Sequence, residues 1–276
     1  MDDVTAGDIL PLLALDLHCH LLPALDDGVK ERQECLDLAR ALAAYGLTQV
    51  CVTPHIHADL YPNRRETIVQ ACAETQAWLA EQGISLRLIP GAEVRLDPDS
   101  CRPETWLTLA DAGRHMLVEL PPGLPLVAQL EQQLDQLQAA GITPIIAHPE
   151  RQGLFQRHPE LLERWVLERG ILTQGTLCTL AGAAADRTVG FLEGLLQRGL
   201  VHFLGTDAHH LDRRIQGLEH GITRLHALVG DDNAMTIRFH NPDALLRGHP
   251  IQRPRPVEPD KPPSLLARLI GPLRRS

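Results

Sequence analysis

Asp16-Leu17-His18-Cys19-His20 carries two histidines two positions apart. On an extended strand such positions share a face, so His18 and His20 can chelate one cation while Cys19 points away. Thr53-Pro54-His55 adds an imidazole beyond an apolar run, with Pro54 stiffening the backbone ahead of it. Pro90-Gly91-Ala92-Glu93 and Leu117-Val118-Glu119 each leave a carboxylate after an apolar run. Burying such a group is costly unless it is paired or bound to a metal. Ala147-His148-Pro149-Glu150-Arg151 and Thr206-Asp207-Ala208-His209 complete the set, the second repeating the two-residue spacing. Singly, each has a plain structural alternative: His148 as a hydrogen-bonded core histidine, Asp207 as a helix N-cap, the His-x-His pair as coincidence among 14 histidines. Together they describe imidazole and carboxylate ligation without thiolate, which suits Mn²⁺, Fe²⁺, Co²⁺ or Zn²⁺. So many ligands suit two or three ions, with a carboxylate such as Glu93 bridging. Asp26-Asp27-Gly28 reads either as a turn or as a source of one more ligand, and spacing does not choose between the two aspartates. His57 lies two beyond His55 and is read as a structural or supporting residue.

The elements that must position these groups are legible as short apolar, β-branched runs alternating with longer helical patterns. Strands are expected at Ala14–His18, Thr48–Thr53, Leu86–Gly91, Met116–Leu120, Thr143–His148, Gly170–Gln174 and Val201–Thr206. Helices are expected at Glu31–Ala44, Arg65–Glu81, Pro125–Ala140, Pro159–Glu168, Ala181–Gln197 and Arg213–Val229, several ending at a glycine before the next strand. That alternation implies an α/β fold with parallel strands joined by right-handed crossovers. A doubly wound open sheet would satisfy it too. The candidate ligands, however, fall at the C-terminal ends of six of the seven strands, and in a closed β/α barrel those ends converge on one face.

With 276 residues the chain can bury one sizeable core, built from aliphatic side chains because only 3% of residues are aromatic. A net charge of −9 argues against a nucleic-acid groove. Six cysteines without a pairing framework, an acidic N-terminus unlike a signal peptide, and no run of about 20 apolar residues point to a cytoplasmic protein without a transmembrane segment. The expected division is a catalytic domain over 1–247 and a proline-rich basic tail over 248–276. From Arg247 onward seven basic residues face only Glu258 and Asp260, and six prolines between Pro250 and Pro263 favour an extended linker. Residues 264–275 could form a basic amphipathic helix touching a membrane surface or partner, although Gly271-Pro272 interrupts the pattern. Homo-oligomerisation is compatible with the sequence, which does not decide it.

Asp-Leu-His-Cys-His, Leu-Asp-Asp-Gly, Thr-Pro-His, Gly-Ala-Glu-Val-Arg, Leu-Val-Glu-Leu, Ile-Ala-His-Pro-Glu-Arg and Thr-Asp-Ala-His, in that order over residues 14–215, resemble the motifs of the PHP (polymerase and histidinol phosphatase) superfamily. Within it the chain is similar to the bacterial CpsB/CapC-like protein-tyrosine phosphatases of capsule and exopolysaccharide clusters. The resemblance implies a distorted (β/α)7 TIM-like PHP barrel with a trinuclear, usually manganese-dependent, site. It assigns His18, His20, Glu93 and Asp207 to a first ion, Glu93, Glu119 and His148 to a second, and Asp27, His55 and His209 to a third. It prefers Asp27 over Asp26, and gives Arg151 and Arg214 as phosphate-binding arginines. Cys19, Arg213 and Ile215 depart from the usual pattern, but none is a ligand.

The activity so implied is hydrolysis of a phosphotyrosine protein, the tyrosine-rich C-terminal tail of a bacterial tyrosine autokinase. Clustered cations would activate water and neutralise phosphoryl oxygens, and the arginines would clamp those oxygens. A phenolate needs little protonation to leave; should a donor be needed, His210 is a candidate. A cysteine-nucleophile phosphatase is excluded, because no arginine stands six residues after any cysteine. Two other activities stay open: another PHP reaction, histidinol-phosphate or phosphodiester hydrolysis, and a non-catalytic regulator that binds phosphopeptide.

Overall fold

The alternating pattern produces an α/β fold in which every strand pairing is parallel. The structure is a computed structural model and describes residues 12–123, 125–211 and 215–257. Its strands are β1 (Asp16–Cys19), β2 (Gln49–Val52), β3 (His55–Ile56), β4 (Arg87–Pro90), β5 (Glu93–Arg95), β6 (His115–Glu119), β7 (Thr143–Ala147), β8 (Leu172–Thr176) and β9 (Phe203–Gly205). They form two sheets, ordered β1-β2-β4 and β3-β5-β6-β7-β8-β9.

Two of the seven expected strands, Thr48–Thr53 and Leu86–Gly91, are each followed by a short further strand that the sequence pattern did not show. Pro54 has no N–H to give a ladder, and it separates β2 from β3. Gly91 separates β4 from β5; a Cβ there would lie 2.9 Å from the Leu109 side chain, so the backbone passes too close for any other residue. The β8 run begins two residues later than expected because Gly170, at φ 66°, ends the preceding helix. Between β1 and the end of β9, a side chain adds to a single parallel bridge, Cys19 to Ala208. Asp16 accepts hydrogen bonds from the Thr206 N–H (2.9 Å) and hydroxyl (2.5 Å), and the Asp207 N–H donates to the His18 carbonyl (2.8 Å). The His20 N–H then reaches the Ala208 carbonyl (2.8 Å).

One strand face contributes Leu15, Leu17, Cys51, Ile89, Leu117, Ile145 and Phe203 to an inner apolar cluster. The other packs under the helices Arg32–Ala44, Arg65–Glu81, Val127–Ala139, Pro159–Arg169, Asp186–Gln197 and Leu218–Met235, whose buried stripes supply residues such as Leu38, Leu79, Leu134, Leu162 and Leu192. The last helix continues past a kink at Gly230 into Thr236–His240 and Asn241–Arg247, helical turns the sequence pattern did not reveal. The expected helix Ala181–Gln197 begins only at Asp186, and a separate short helix, Leu177–Leu180, precedes its expected start.

Residues 249–257 contain no helix or strand, and they are fastened to the body. Asn241 and Asn233 each exchange two hydrogen bonds with this segment's backbone, at Gln252 (2.8 and 2.9 Å) and Arg255 (2.9 and 2.9 Å). Arg253 donates to the Gly199 and Arg198 carbonyls (both 3.0 Å), which close the helix Asp186–Gln197. This strap lies at the end of the strands where β9 begins. No two of the six cysteines are joined, and all six are buried. Among the described residues no helix is long and apolar enough to cross a membrane.

Candidate metal centre

At the opposite strand ends, the expected ligands meet. His18 Nε2 lies 3.0 Å from Glu93 Oε2 and 3.2 Å from Asp207 Oδ1. His20 Nε2 lies 3.4 Å from each of those oxygens and 3.1 Å from His18 Nε2. All four residues are buried. A bulge in β1 lets both histidines reach this point while Leu15 and Leu17 enter the inner core.

The protons of this quartet can be assigned from its surroundings. Gln174 commits its amide nitrogen to the Gly175 carbonyl (2.5 Å), so its oxygen faces His18 and accepts from Nδ1–H (2.8 Å). His20 Nδ1–H donates to Asp26 Oδ2 (2.7 Å). Both Nε2 atoms face each other and two carboxylate oxygens, and against burial Asp26, Asp207 and Glu93 lift the His20 imidazole well above its usual range. Burial pushes Glu93 and Asp207 upward but is outweighed, by His18, His55 and His148 at Glu93 and by His18, His20 and Arg151 at Asp207, so both stay well below the usual carboxylate range. The carboxylates are thus balanced by imidazole protons, and a divalent cation at the same point would take the protons' place. The separations of 3.0–3.4 Å match the ligand edges of an ion with bonds of about 2.1 Å, roughly 3.0 Å for octahedral and 3.4 Å for tetrahedral geometry.

Glu93 faces a second group through its other oxygen, 2.8 Å from His148 Nε2, and Glu119 completes this set. His55 Nδ1 approaches Glu93 (3.2 Å) and Glu119 (3.3 Å), while its Nε2 faces Asp27 (3.3 Å). Asp27 also lies 3.4 Å from His209 Nε2, and His20, Asp27, His55 and His209 form a third set. The buried ring nitrogens His55 Nδ1 and His148 Nδ1 have no hydrogen-bond partner. Nine expected ligands thus occupy one contiguous cluster.

The two aspartates face different partners. Asp26 is consumed in support: beyond His20 it accepts from the Gly28 N–H (2.8 Å) and the His55 N–H (3.0 Å). Burial opposes its ionisation, but His20 holds its carboxyl down at about 2. Gly28 makes the turn tight, since a Cβ there would sit 2.3 Å from the His20 carbonyl oxygen. Gly205 does the same beneath His18, 2.9 Å from its Cβ and 2.8 Å from the Gln174 amide nitrogen. His148 and Asp207 adopt left-handed φ values of 34° and 53°, a conformation each side chain tolerates better than most and one that bends it out of its strand direction.

Arg151 stands at the cluster's edge, paired with Asp207 Oδ2 and donating to Cys178 Sγ (3.5 Å). Its turn is fixed by the fully buried Glu150, which accepts from the Thr176 N–H (2.9 Å). Arg214 lies outside the described residues. Two contributors went unnoticed in the sequence, Asp16 and Gln174; Asp26, weighed there as a ligand, braces His20, and His57, read there as a structural or supporting residue, contacts Glu119 Oε1 through Nε2 and groups with His55. A polar residue inside an apolar strand, as at Asp16 and Gln174, was the signal available.

The family model for capsular polysaccharide synthesis, CpsB/CapC, matches residues 14–247. The chain belongs to this family. It is 32% identical over 251 residues to the tyrosine-protein phosphatase YwqE of Bacillus subtilis, covering 88% of this chain and 96% of YwqE. It is 24% identical to the tyrosine-protein phosphatase CpsB of Streptococcus pneumoniae, over 84% of this chain and 98% of CpsB. A solved structure from work on YwqE and CpsB, described there as unique metal-dependent tyrosine phosphatases, superposes with a TM-score of 0.79 at 31% identity, covering 89% of this chain and all of that one (100%).

Proposed function

We propose that this CpsB/CapC chain is a metal-dependent protein-tyrosine phosphatase of capsule or exopolysaccharide synthesis. The observation that carries the reading is the buried quartet, where two imidazole nitrogens 3.1 Å apart each lie within 3.0–3.4 Å of the same two carboxylate oxygens. In this reading His18, His20, Glu93 and Asp207 hold a first divalent ion, Glu93, Glu119 and His148 a second, and Asp27, His55 and His209 a third. Manganese is the first candidate, with iron, cobalt or zinc compatible with the same donors. Such ions, when bound, activate water near neutral pH and neutralise phosphoryl oxygens.

The chain's own residues do the rest. Arg151 presents a guanidinium to the cleft from a braced turn and orients phosphoryl oxygens through forked donors; Arg214 is its proposed companion. Gln174 and Asp26 hold the Nδ1 sides of His18 and His20 and so turn both Nε2 atoms to the ligand point. The phenolate of tyrosine, with an ordinary pKa near 10, leaves with little help from an acid. The substrate we infer is the tyrosine-rich C-terminal tail of a bacterial tyrosine autokinase, met in the cytoplasm. The relatives' names support phosphotyrosine over histidinol phosphate or a phosphodiester, and the complete donor set speaks against a non-catalytic phosphopeptide binder.

We also read the two sheets as parts of one distorted (β/α)7 PHP barrel, supported by the Asp16–Thr206 and His18–Asp207 hydrogen bonds across β1 and β9. The catalytic unit we assign to 1–247 and the basic tail to 248–276; its strap fastens away from the ligands, so the tail serves another surface, membrane or partner. Chelation of the purified protein should abolish release of phosphate from phosphotyrosine, and Mn²⁺ should restore it. Full turnover in excess chelator would defeat the reading.

A further inference from the structure

Above the ligand cluster opens a cleft of about 460 Å³, lined on its floor by Asp27, His55, Glu119 and Arg151. Its walls differ from its floor. One is the 57–61 turn, presenting Leu60 and Tyr61; the other presents Leu120 and Pro122. Leu60 is 64% exposed, an apolar side chain left in water beside one of the most polar clusters in the molecule. The chain has only two tyrosines, and Tyr61, half-buried, lies with its ring parallel to His55 (14° between planes, 5.6 Å between centroids).

The turn is held rigidly. His57 and Tyr61 exchange backbone hydrogen bonds (2.9 and 3.0 Å), and Asn63 donates to both the Leu25 and His55 carbonyls (2.8 Å each). Arg95 ties Asp59 at the tip (2.6 Å) to Asp97 on the neighbouring loop. None of these contacts uses the Tyr61 ring or the Leu60 side chain, so the restraint aims both at the cleft without consuming them.

We propose that Tyr61, backed by Leu60, is the aryl wall of this cleft and makes the site prefer aryl over alkyl phosphomonoesters. A phosphoryl group at the floor beside Arg151 places the carbon substituent between the two walls. A flat aromatic ring fills that gap, gaining offset-stacked contact with Tyr61 and apolar contact with Leu60 and Pro122. An alkyl phosphate reaches the same floor but leaves the walls wet. The proposal rests on the phosphatase reading for its reaction, not for its binding preference.

The test compares phosphotyrosine with phosphoserine on the Mn²⁺-loaded full chain, as the ratio of their kcat/KM values. Tyr61→Ala should lower that ratio about tenfold, mainly through the KM for phosphotyrosine, and Leu60→Ala roughly fivefold. Tyr61→Phe should restore the preference, because the ring and not the hydroxyl is used. Leu167→Ala, on a distant exposed helix position, should leave it alone. An unchanged ratio in Tyr61→Ala, or equal losses on both substrates, would overturn the wall. A second arm uses calorimetry with phenylphosphonate and methylphosphonate. Should the native protein turn over no phosphomonoester, the phosphatase reading falls, while a phenyl preference lost in Tyr61→Ala still upholds the wall and one retained there still refutes it.

Discussion

The two ends of β9 place the same residue types in opposite employment. Where the strand begins, His202, Asn241 and Arg253 are spent on main chain. His202 Nδ1 accepts from the Thr173 N–H (3.2 Å), and Asn241 donates to the His202 carbonyl (3.0 Å) and brackets Gln252. Where the strand finishes, Asp207 and His209 join side chains that point at each other. The titrations diverge accordingly. Burial, assisted by Arg253, drives His202 down to about 4 and leaves it neutral. At the other end burial pulls the same way on His55, yet Glu93, Asp27 and Glu119 carry it up to about 10. A buried histidine is thus a structural or a functional group according to whether its partner is a peptide or a carboxylate.

The largest effect should come from breaking the functional end. Glu93 gives one carboxylate oxygen to each of two ligand sets, and Gln keeps its shape while removing its charge. Glu93→Gln should lower kcat for phosphotyrosine by about 10³-fold or more, near 4 kcal/mol of barrier, and should reduce bound Mn²⁺ measured by elemental analysis. A variant with native metal content and turnover would show that the converging carboxylates are only structural.

The other end predicts a loss of stability on acidification. His202 binds its proton in the unfolded chain near pH 6.5 but in the folded one only near 4. The unfolded state therefore takes up the proton first as pH falls, so stability is intact above 6.5 and drains between 6.5 and 4, by about 3 kcal/mol. Urea unfolding of the native protein and of His202→Gln over that range isolates the contribution, which should vanish from the variant's pH slope. Parallel slopes would mean that His202 is not held neutral.

How much of this was legible in the sequence follows the same division. The functional end could be read because ligands must be particular residue types at strand ends, and His18, Glu93, His148 and Asp207 meet where that rule puts them. What supports them could not. Gln174 serves His18 from a strand far along the chain, and Asp26 differs from Asp27 only in which way a turn directs it. The short strands after Pro54 and Gly91 are local backbone events just past the ends of the expected runs. The structural end was nearly invisible. Gly230-Asp231-Asp232-Asn233 has the composition of a turn, yet helix continues beyond it, and Pro242 sits where a helix accepts proline, in its first turn. Over 249–257 the absence of helix and strand agrees with Pro250, Pro254 and Pro256, but the fastening left no signal, because asparagines bonded to main chain leave no periodicity.

The finest separation of the two ends is Asn241→Ala. Asn241 is fully buried and makes three hydrogen bonds, to the His202 carbonyl and to both main-chain groups of Gln252. Removing it leaves those groups short of partners, at a cost of about 2 kcal/mol to unfolding and a strap more open to proteolysis. Yet its contacts reach only residues 202 and 252, while the ligands hang from the far ends of the strands and are braced by Asp16, Asp26 and Gln174. Mn²⁺ affinity, measured on folded protein, should therefore stay within about twofold of native, since no donor or its support has moved. Limited proteolysis and equilibrium metal binding on the same sample read the two ends separately. If affinity fell along with stability, the strap would be part of the ligand scaffold, and the division drawn between the ends of β9 would be wrong.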